Sequence, residues 1–253
     1  MKLTNKVAIV TGGANGIGKA YCLGFAKEGA KIVIADINEP TANLTAEEIN
    51  KNGGKALSIK TDVSKVDDTQ QMAKKAIAEF GRIDILVNNA AFYMRPSLTM
   101  APFDQIATEE WDRVMAVNLK GPFLCSRAVF PYMRNQKSGK IINITSDTFF
   151  MGRIHMSHYV ASKGGVIGLT RVLANELGQY NINVNCIAPG STFSEDSNDV
   201  EGLKRRESIL HLRALKRVEY PEDLVGTAIF LASSDSDFIT GQIITVNGGM
   251  TMA

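Results

Sequence analysis

The chain has 253 residues, 45% of them hydrophobic and 21% charged, a globular composition that excludes a disordered or low-complexity polypeptide. Its 28 Lys and Arg nearly balance 26 Asp and Glu, and this dispersed +2 charge leaves no footprint for nucleic acid or an anionic membrane. Cys22, Cys125 and Cys186 are odd in number, far apart and set in apolar surroundings, which suits neither a disulfide framework nor a metal site.

Met1 to Lys6 runs into an apolar segment far shorter than the roughly 18 residues of a membrane span, so the expected location is the cytoplasm. Short β-branched runs then recur at Val7 to Val10, Ile32 to Ala35, Ala56 to Lys60, Ile83 to Val87, Ile141 to Thr145 and Val184 to Ala188. Near-continuous apolar strands of this kind are buried on both faces. Helical periodicity fills the intervals at 16–28, 41–51, 65–80, 108–134, 158–178, 200–215 and 221–232. A last strand, Ile243 to Val246, is bracketed by Thr240-Gly241 and Asn247-Gly248-Gly249, which are turn signals. The alternation predicts one α/β domain over residues 1–253: a doubly wound parallel sheet, a Rossmann fold, flanked by helices. Phe92 to Ala107 and Gly190 to Val200 follow strands where α/β proteins place binding loops. Lys204-Arg205-Arg206, flanked by Glu201 and Glu207, is read as a solvated helix face.

The first strand leads through Thr11-Gly12-Gly13-Ala14-Asn15-Gly16-Ile17-Gly18 into a helix. Glycines allow a tight turn and let backbone N–H groups approach a pyrophosphate at the positive helix end, which points to a dinucleotide. Asp36 ends the second strand, 20 residues beyond Gly16, where a carboxylate can accept hydrogen bonds from the adenosine ribose. It would repel a 2′-phosphate, and neither Asn15 nor Ile37 offers a compensating positive charge, so NAD is favoured over NADP. An ordinary surface aspartate at a strand end is the alternative.

The spacing Gly-x-x-x-Gly-x-Gly resembles that of the short-chain dehydrogenase/reductase family, of the NAD-preferring alcohol dehydrogenase type, and the likeness runs along essentially the whole chain. The resemblance implies that Asp62 and Val63 border the adenine. It implies that Asn88, Asn89 and Ala90 support the sheet and the cofactor. Ala91 stands where the family usually has Gly.

Tyr159 and Lys163 are four residues apart in a helical segment and so share a face. Bringing a tyrosine from a pKa of about 10 to near 7 takes roughly 4 kcal/mol, which Lys163 and the charge of oxidised nicotinamide together could supply. Ser146 lies 13 residues before Tyr159, and Asn118 lies in Asn118-Leu119-Lys120-Gly121. The resemblance implies Tyr159 as general acid/base and Ser146 as hydrogen-bond partner of the reacting oxygen. Lys163 would hold the ribose and tune Tyr159, and Asn118 would hold a relay water. It also places Pro189, Gly190 and the following Ser191, Thr192 and Phe193 beside the nicotinamide carboxamide.

His155 and His158 have no further ligands at metal spacing and are assigned to the surface or the pocket rim, so no metal is expected. Phe92, Tyr93, Met94, Phe149, Phe150, Met151, Met156 and Phe193 are candidate walls of an apolar pocket for a cyclic or aromatic secondary alcohol or ketone. Arg95 and Arg153 keep an acidic substrate open. Two other functions fit the same residues: an NADPH-dependent 3-oxoacyl carrier-protein reductase, which Asp36 opposes, and a non-catalytic dinucleotide sensor, which has no need of Ser146, Tyr159 and Lys163 together. Ala161, Ser162, Gly164, Gly165 and Gly168 give the Tyr159 helix a small-residue face, read as a contact with the Asn118 helix across a two-fold axis or as packing within one subunit. The resemblance implies a homotetramer with a second interface near Ile243 to Val246.

Overall fold

The computed structural model describes residues 1–93, 98–194 and 199–252. Within them the strands are β1 (Val7–Thr11), β2 (Lys31–Asp36), β3 (Lys55–Lys60), β4 (Ile85–Asn88), β5 (Gly139–Ile144), β6 (Ile182–Pro189) and β7 (Ile243–Val246). The longer helices are α1 (Gly16–Lys27), α2 (Glu39–Lys51), α3 (Val66–Phe80), α4 (Thr108–Met115) and α5 (Gly121–Gln136). They continue with α6 (Thr148–Met151), α7 (Ser157–Leu177), α8 (Val200–Glu207) and α9 (Glu222–Ala232). All strand pairs are parallel, in the order β3-β2-β1-β4-β5-β6-β7. The order reverses between β1 and β4, which opens a crevice at the carboxyl ends of the strands, where doubly wound folds bind ligands.

Side-chain alternation along β1 explains the two layers. Ala8 and Val10 face an apolar layer with Phe25 of α1 and Leu224 of α9, while Val7 and Ile9 face a layer with Met72 of α3 and Val129 of α5. Every residue of β1 is buried, which is why its sequence reads VAIVT rather than apolar-polar. Between the layers a polar ladder fixes β4 to β5. Asn88 Nδ2 donates to Asn143 Oδ1 at 2.8 Å, and Asn143 Nδ2 donates to Thr170 Oγ1 at 2.8 Å. Asn88 therefore supports the sheet, as the family resemblance implied.

Three elements differ from the periodicity. The helix expected over 108–134 is interrupted by a π-turn at Ala116–Lys120, which carries Asn118. The helix expected over 200–215 ends at Glu207 and is followed by a 3₁₀ turn at Leu210–Leu212. The short α6 after β5 had no periodic signature, because four residues are too few to show one. Among the described residues, no helix is long and apolar enough to cross a membrane.

Candidate active site

The turn after β1 is held by close backbone approach. Gly12 has φ +63°, and a Cβ there would lie 2.8 Å from Ala90 Cα. A Cβ on Gly18 would lie 2.0 Å from the Gly12 carbonyl oxygen and 2.6 Å from Asn89 Nδ2. Asn89 fastens this turn to the end of β4, its Nδ2 donating to the carbonyls of Thr11 and Gly12, both at 3.0 Å. Asp36 closes the other side, accepting from Ala14 N at 3.0 Å and Asn38 N at 2.9 Å. Gly16 also has positive φ, and the exposed Asn15 is the N-cap of α1 without a side-chain cap bond. Farther along the same edge, Asp62 accepts from Ser64 N at 3.0 Å, and Val63 is buried against Gly121. Gly12, Asn15, Gly16, Ile17, Gly18, Asp36, Asp62, Val63, Asn89, Ala90, Pro189, Gly190 and Thr192 thus share the carboxyl edge of β1 to β4 and β6. Cradles that a Cβ would fill, at a helix N-terminus, fit the phosphates of a dinucleotide.

Tyr159 and Lys163 lie on one face of α7, with Lys163 Nζ 5.7 Å from the centre of the Tyr159 ring. The ammonium donates to the Ile144 carbonyl at 2.8 Å, and Thr145 Oγ1 donates to the Lys163 carbonyl at 2.8 Å, so α7 is pinned to the end of β5. Ser146 follows directly and accepts from Thr148 Oγ1 at 2.9 Å. A cavity of about 160 Å³ is bounded by Ile17, Asn89, Ser146, Tyr159, Lys163, Pro189, Gly190 and Thr192.

The electrostatics differ from the sequence expectation. Burial drives the Tyr159 phenol above its ordinary value, Tyr93 and Asp147 push the same way, and the Ser146 hydroxyl pulls it back. Burial also brings Lys163 down to about 8, opposed by Cys186. The chain by itself therefore does not lower the tyrosine, because desolvation outweighs the Ser146 hydrogen bond.

Asn118 is fully buried and braces two elements. Its Oδ1 accepts from Phe92 N at 2.6 Å, while Nδ2 donates to the Phe92 carbonyl at 3.3 Å and to Ser162 Oγ at 3.2 Å.

Of the candidate walls, Tyr93 and Met151 line the cavity, and Met156 lines an outer pocket of about 400 Å³ that shares Tyr93, Arg153 and Ser191 with it. Phe92 packs under Arg113, Phe149 against Gly164 and Phe150, and Phe193 against Tyr220 and Arg206. Met94 and Arg95 lie outside the described residues. Two surface assignments are corrected. His158 is fully buried, its Nε2 3.1 Å from Glu110 Oε1, because α4 packs over the start of α7. Arg206 is buried as well, donating to the carbonyls of Thr192 at 2.9 Å and Gly202 at 3.0 Å.

Sequence reasoning passed over a charged group beneath the cavity. Asp147, Arg213 and Glu219 are all buried. Burial raises Asp147 to about 6, opposed by Asn247, Arg213 and Arg153. Burial also raises Glu219, opposed by Thr192, Arg213 and Gly190 N–H, while Asp147 adds to the rise. Arg213 and Glu219 belong to no local motif, so only their contacts reveal them.

Residues 6–201 match the family model described as short chain dehydrogenase. The chain is 41% identical over 249 residues to 2-dehydro-3-deoxy-D-gluconate 5-dehydrogenase of Escherichia coli strain K12, covering 98% of this chain and 96% of the relative. It is 40% identical over 250 residues to a 3-oxoacyl-acyl-carrier-protein reductase of Staphylococcus epidermidis, covering 98% and 100%. It is 38% identical over 252 residues to a hydroxy(phenyl)methylsuccinyl-CoA dehydrogenase subunit of Thauera aromatica, covering 100% and 99%. Among solved structures, a short-chain type dehydrogenase/reductase from Mycobacterium marinum superposes with a TM-score of 0.91 at 32% identity, covering 100% and 98%.

Proposed function

This chain belongs to the short-chain dehydrogenase/reductase family, whose members are oxidoreductases that bind a nicotinamide dinucleotide, and from that premise we propose that it moves a hydride between NAD(H) and a secondary alcohol or ketone. The observation that carries the reading is the convergence of Tyr159, Lys163 and Ser146 on one cavity at the crevice edge. A nicotinamide dinucleotide held there would supply the hydride donor or acceptor. Tyr159 gives or takes the proton of the substrate oxygen, and the Ser146 hydroxyl hydrogen-bonds that oxygen. Lys163 holds the ribose, and its charge, added to that of the oxidised ring, opposes the desolvation that raises Tyr159. Asn118, whose side chain is fixed by Phe92 and Ser162, is assigned the relay water.

The choice of NAD rests on Asp36, which is bonded to the glycine turn and would meet a 2′-phosphate with like charge. Tyr93, Met151 and Met156 favour a cyclic or aromatic substrate. A second reading is favoured by Arg153, which lines both the cavity and the outer pocket and suits an acidic or thioester substrate of the kind the relatives' names describe.

One domain over residues 1–253 performs these tasks, in the cytoplasm, where its three free buried cysteines stay reduced. It works as a homotetramer. Gly164 and Gly165 are accounted for within the subunit by Phe149 and Leu119, whereas Gly168 is exposed with nothing within 4 Å of an added Cβ. Gly168 is therefore the position at which Leu should weaken assembly, read by light scattering.

The test is turnover of the purified chain on aromatic, cyclic and hydroxy-acid secondary alcohols with NAD and with NADP. NAD-linked turnover is expected, and Asp36→Ser should narrow the NAD/NADP ratio. A wild type that works better with NADP overturns the cofactor assignment. Tight NADH binding with no turnover on any substrate would select the dinucleotide sensor.

A further inference from the structure

Under the ends of β5 and β6 the fold buries three charges almost out of reach of water: Asp147 is 3% exposed, Arg213 2% and Glu219 4%. Buried ions are costly unless each is paired and hydrogen-bonded. Here the bonds converge on one short stretch of chain. Glu219 Oε1 accepts from Thr192 Oγ1 at 2.8 Å and from Gly190 N at 3.2 Å, while Oε2 accepts from Arg213 Nη2 at 3.1 Å. The same Arg213 nitrogen donates to the Ser191 carbonyl at 2.9 Å. Gly190, Ser191 and Thr192 are thus each held by one of two oppositely charged side chains. The carboxylate also packs directly on the glycine, since a Cβ on Gly190 would lie 2.6 Å from Glu219 Oε2.

We propose that Glu219, braced by Arg213, is a positioning residue for the nicotinamide half of the cofactor, acting by fixing Gly190, Ser191 and Thr192 at the wall of the reactive cavity. This rests on the reading above that these three residues border the nicotinamide carboxamide. Packing alone would be served by apolar side chains of similar volume at 213 and 219, without the desolvation cost. An ion pair adds direction, because each carboxylate oxygen selects a particular donor and charge-assisted bonds are the stronger ones. The turn assigned to the adenosine half is held differently, by Asn89 and Asp36 bonded to the main chain. The two halves of a dinucleotide should therefore respond separately to a change at Glu219.

The experiment measures affinity for NADH and for ADP-ribose, which lacks the nicotinamide, in wild type, Glu219→Gln, Thr192→Val and the double variant. Glu219→Gln keeps the size and one acceptor oxygen but removes the charge. It should weaken NADH about tenfold, the effect of losing one hydrogen bond to a charged group, and leave ADP-ribose within about twofold. Thr192→Val should give a smaller loss of the same kind, and the double variant should match Glu219→Gln because both cut one link. Equal losses for the two ligands would mean general damage and overturn the proposal, as would additive losses in the double variant. If Glu219→Gln does not fold, Thr192→Val alone must still weaken NADH and spare ADP-ribose, or the proposal fails. A wild type that binds NADH no more tightly than ADP-ribose removes the cofactor-border reading and the proposal with it. A clear wild-type preference for NADH that Glu219→Gln leaves unchanged removes the proposal alone.

Discussion

Beside β1 and β2 the crevice is shaped by backbone, with Gly12 and Gly18 packed so closely that a single added carbon meets Ala90 or the Gly12 carbonyl. Beside β5 and β6 it is shaped by buried side chains, with Lys163, Arg213 and Glu219 hydrogen-bonded there and Asp147 buried beside them. The first construction tolerates no added volume. The second is sensitive to charge and to the position of single donors. Substitutions at the two ends should therefore fail in different ways.

The largest effect is expected at Tyr159. Tyr159→Phe keeps the ring that packs with Leu98, Val114 and Met156 but removes the hydroxyl, so kcat should fall by about 10²- to 10⁴-fold while NADH affinity and melting temperature change little. Near-normal turnover in this variant would remove Tyr159 from the mechanism. At the other end, Gly18→Ala should cost about 3 kcal/mol of stability, because the methyl group meets fixed backbone and the Asn89 amide. Thermal unfolding reads it directly, and an unchanged midpoint would mean that the turn is looser than these contacts imply.

Asp147 gives a sharper comparison, since it tests charge at nearly constant volume. Its pKa is raised from 3.8 to about 6, so its ionised form costs stability once the pH exceeds about 6, and the cost fades as the pH falls toward the ordinary value. Asp147→Asn should therefore melt higher than wild type near about pH 8, by on the order of 1–3 kcal/mol, with the gap narrowing below about pH 6. A gap independent of pH would show that the carboxylate is not the strained group. Gly168→Ala is the smallest. Within the subunit nothing lies within 4 Å of the added carbon, so on a free face relief of helix-interior glycine should stabilise by roughly 0.5–1 kcal/mol, whereas a destabilised variant with weaker assembly by light scattering would support the subunit contact proposed for Gly168.

The glycine turn, Asp36 and the pair Tyr159 and Lys163 were legible because each rests on a local relation: a strand followed by a helix, a strand end, or one helical turn. His158 misled for a related reason. The residue that bonds it, Glu110, is 48 positions away. Arg206 was likewise read as solvated because Glu201 and Glu207 flank the basic run, although its guanidinium turns inward to Thr192.

By itself the sequence determined the parallel α/β architecture and the glycine turn at its carboxyl edge, because apolar periodicity and glycine spacing are imposed by short-range sterics, whereas Asn118, Ser146, Pro189 and Thr192 were singled out by the family resemblance. Only the tertiary structure decided how those residues are charged and held. Whether Lys163 keeps its proton, whether Asp147 is strained and which ions fix Gly190 to Thr192 all depend on desolvation and on partners brought together by β6, α7 and the segment 213–219. Those are long-range quantities, set by how much water the finished fold excludes and by donors that no stretch of sequence contains together.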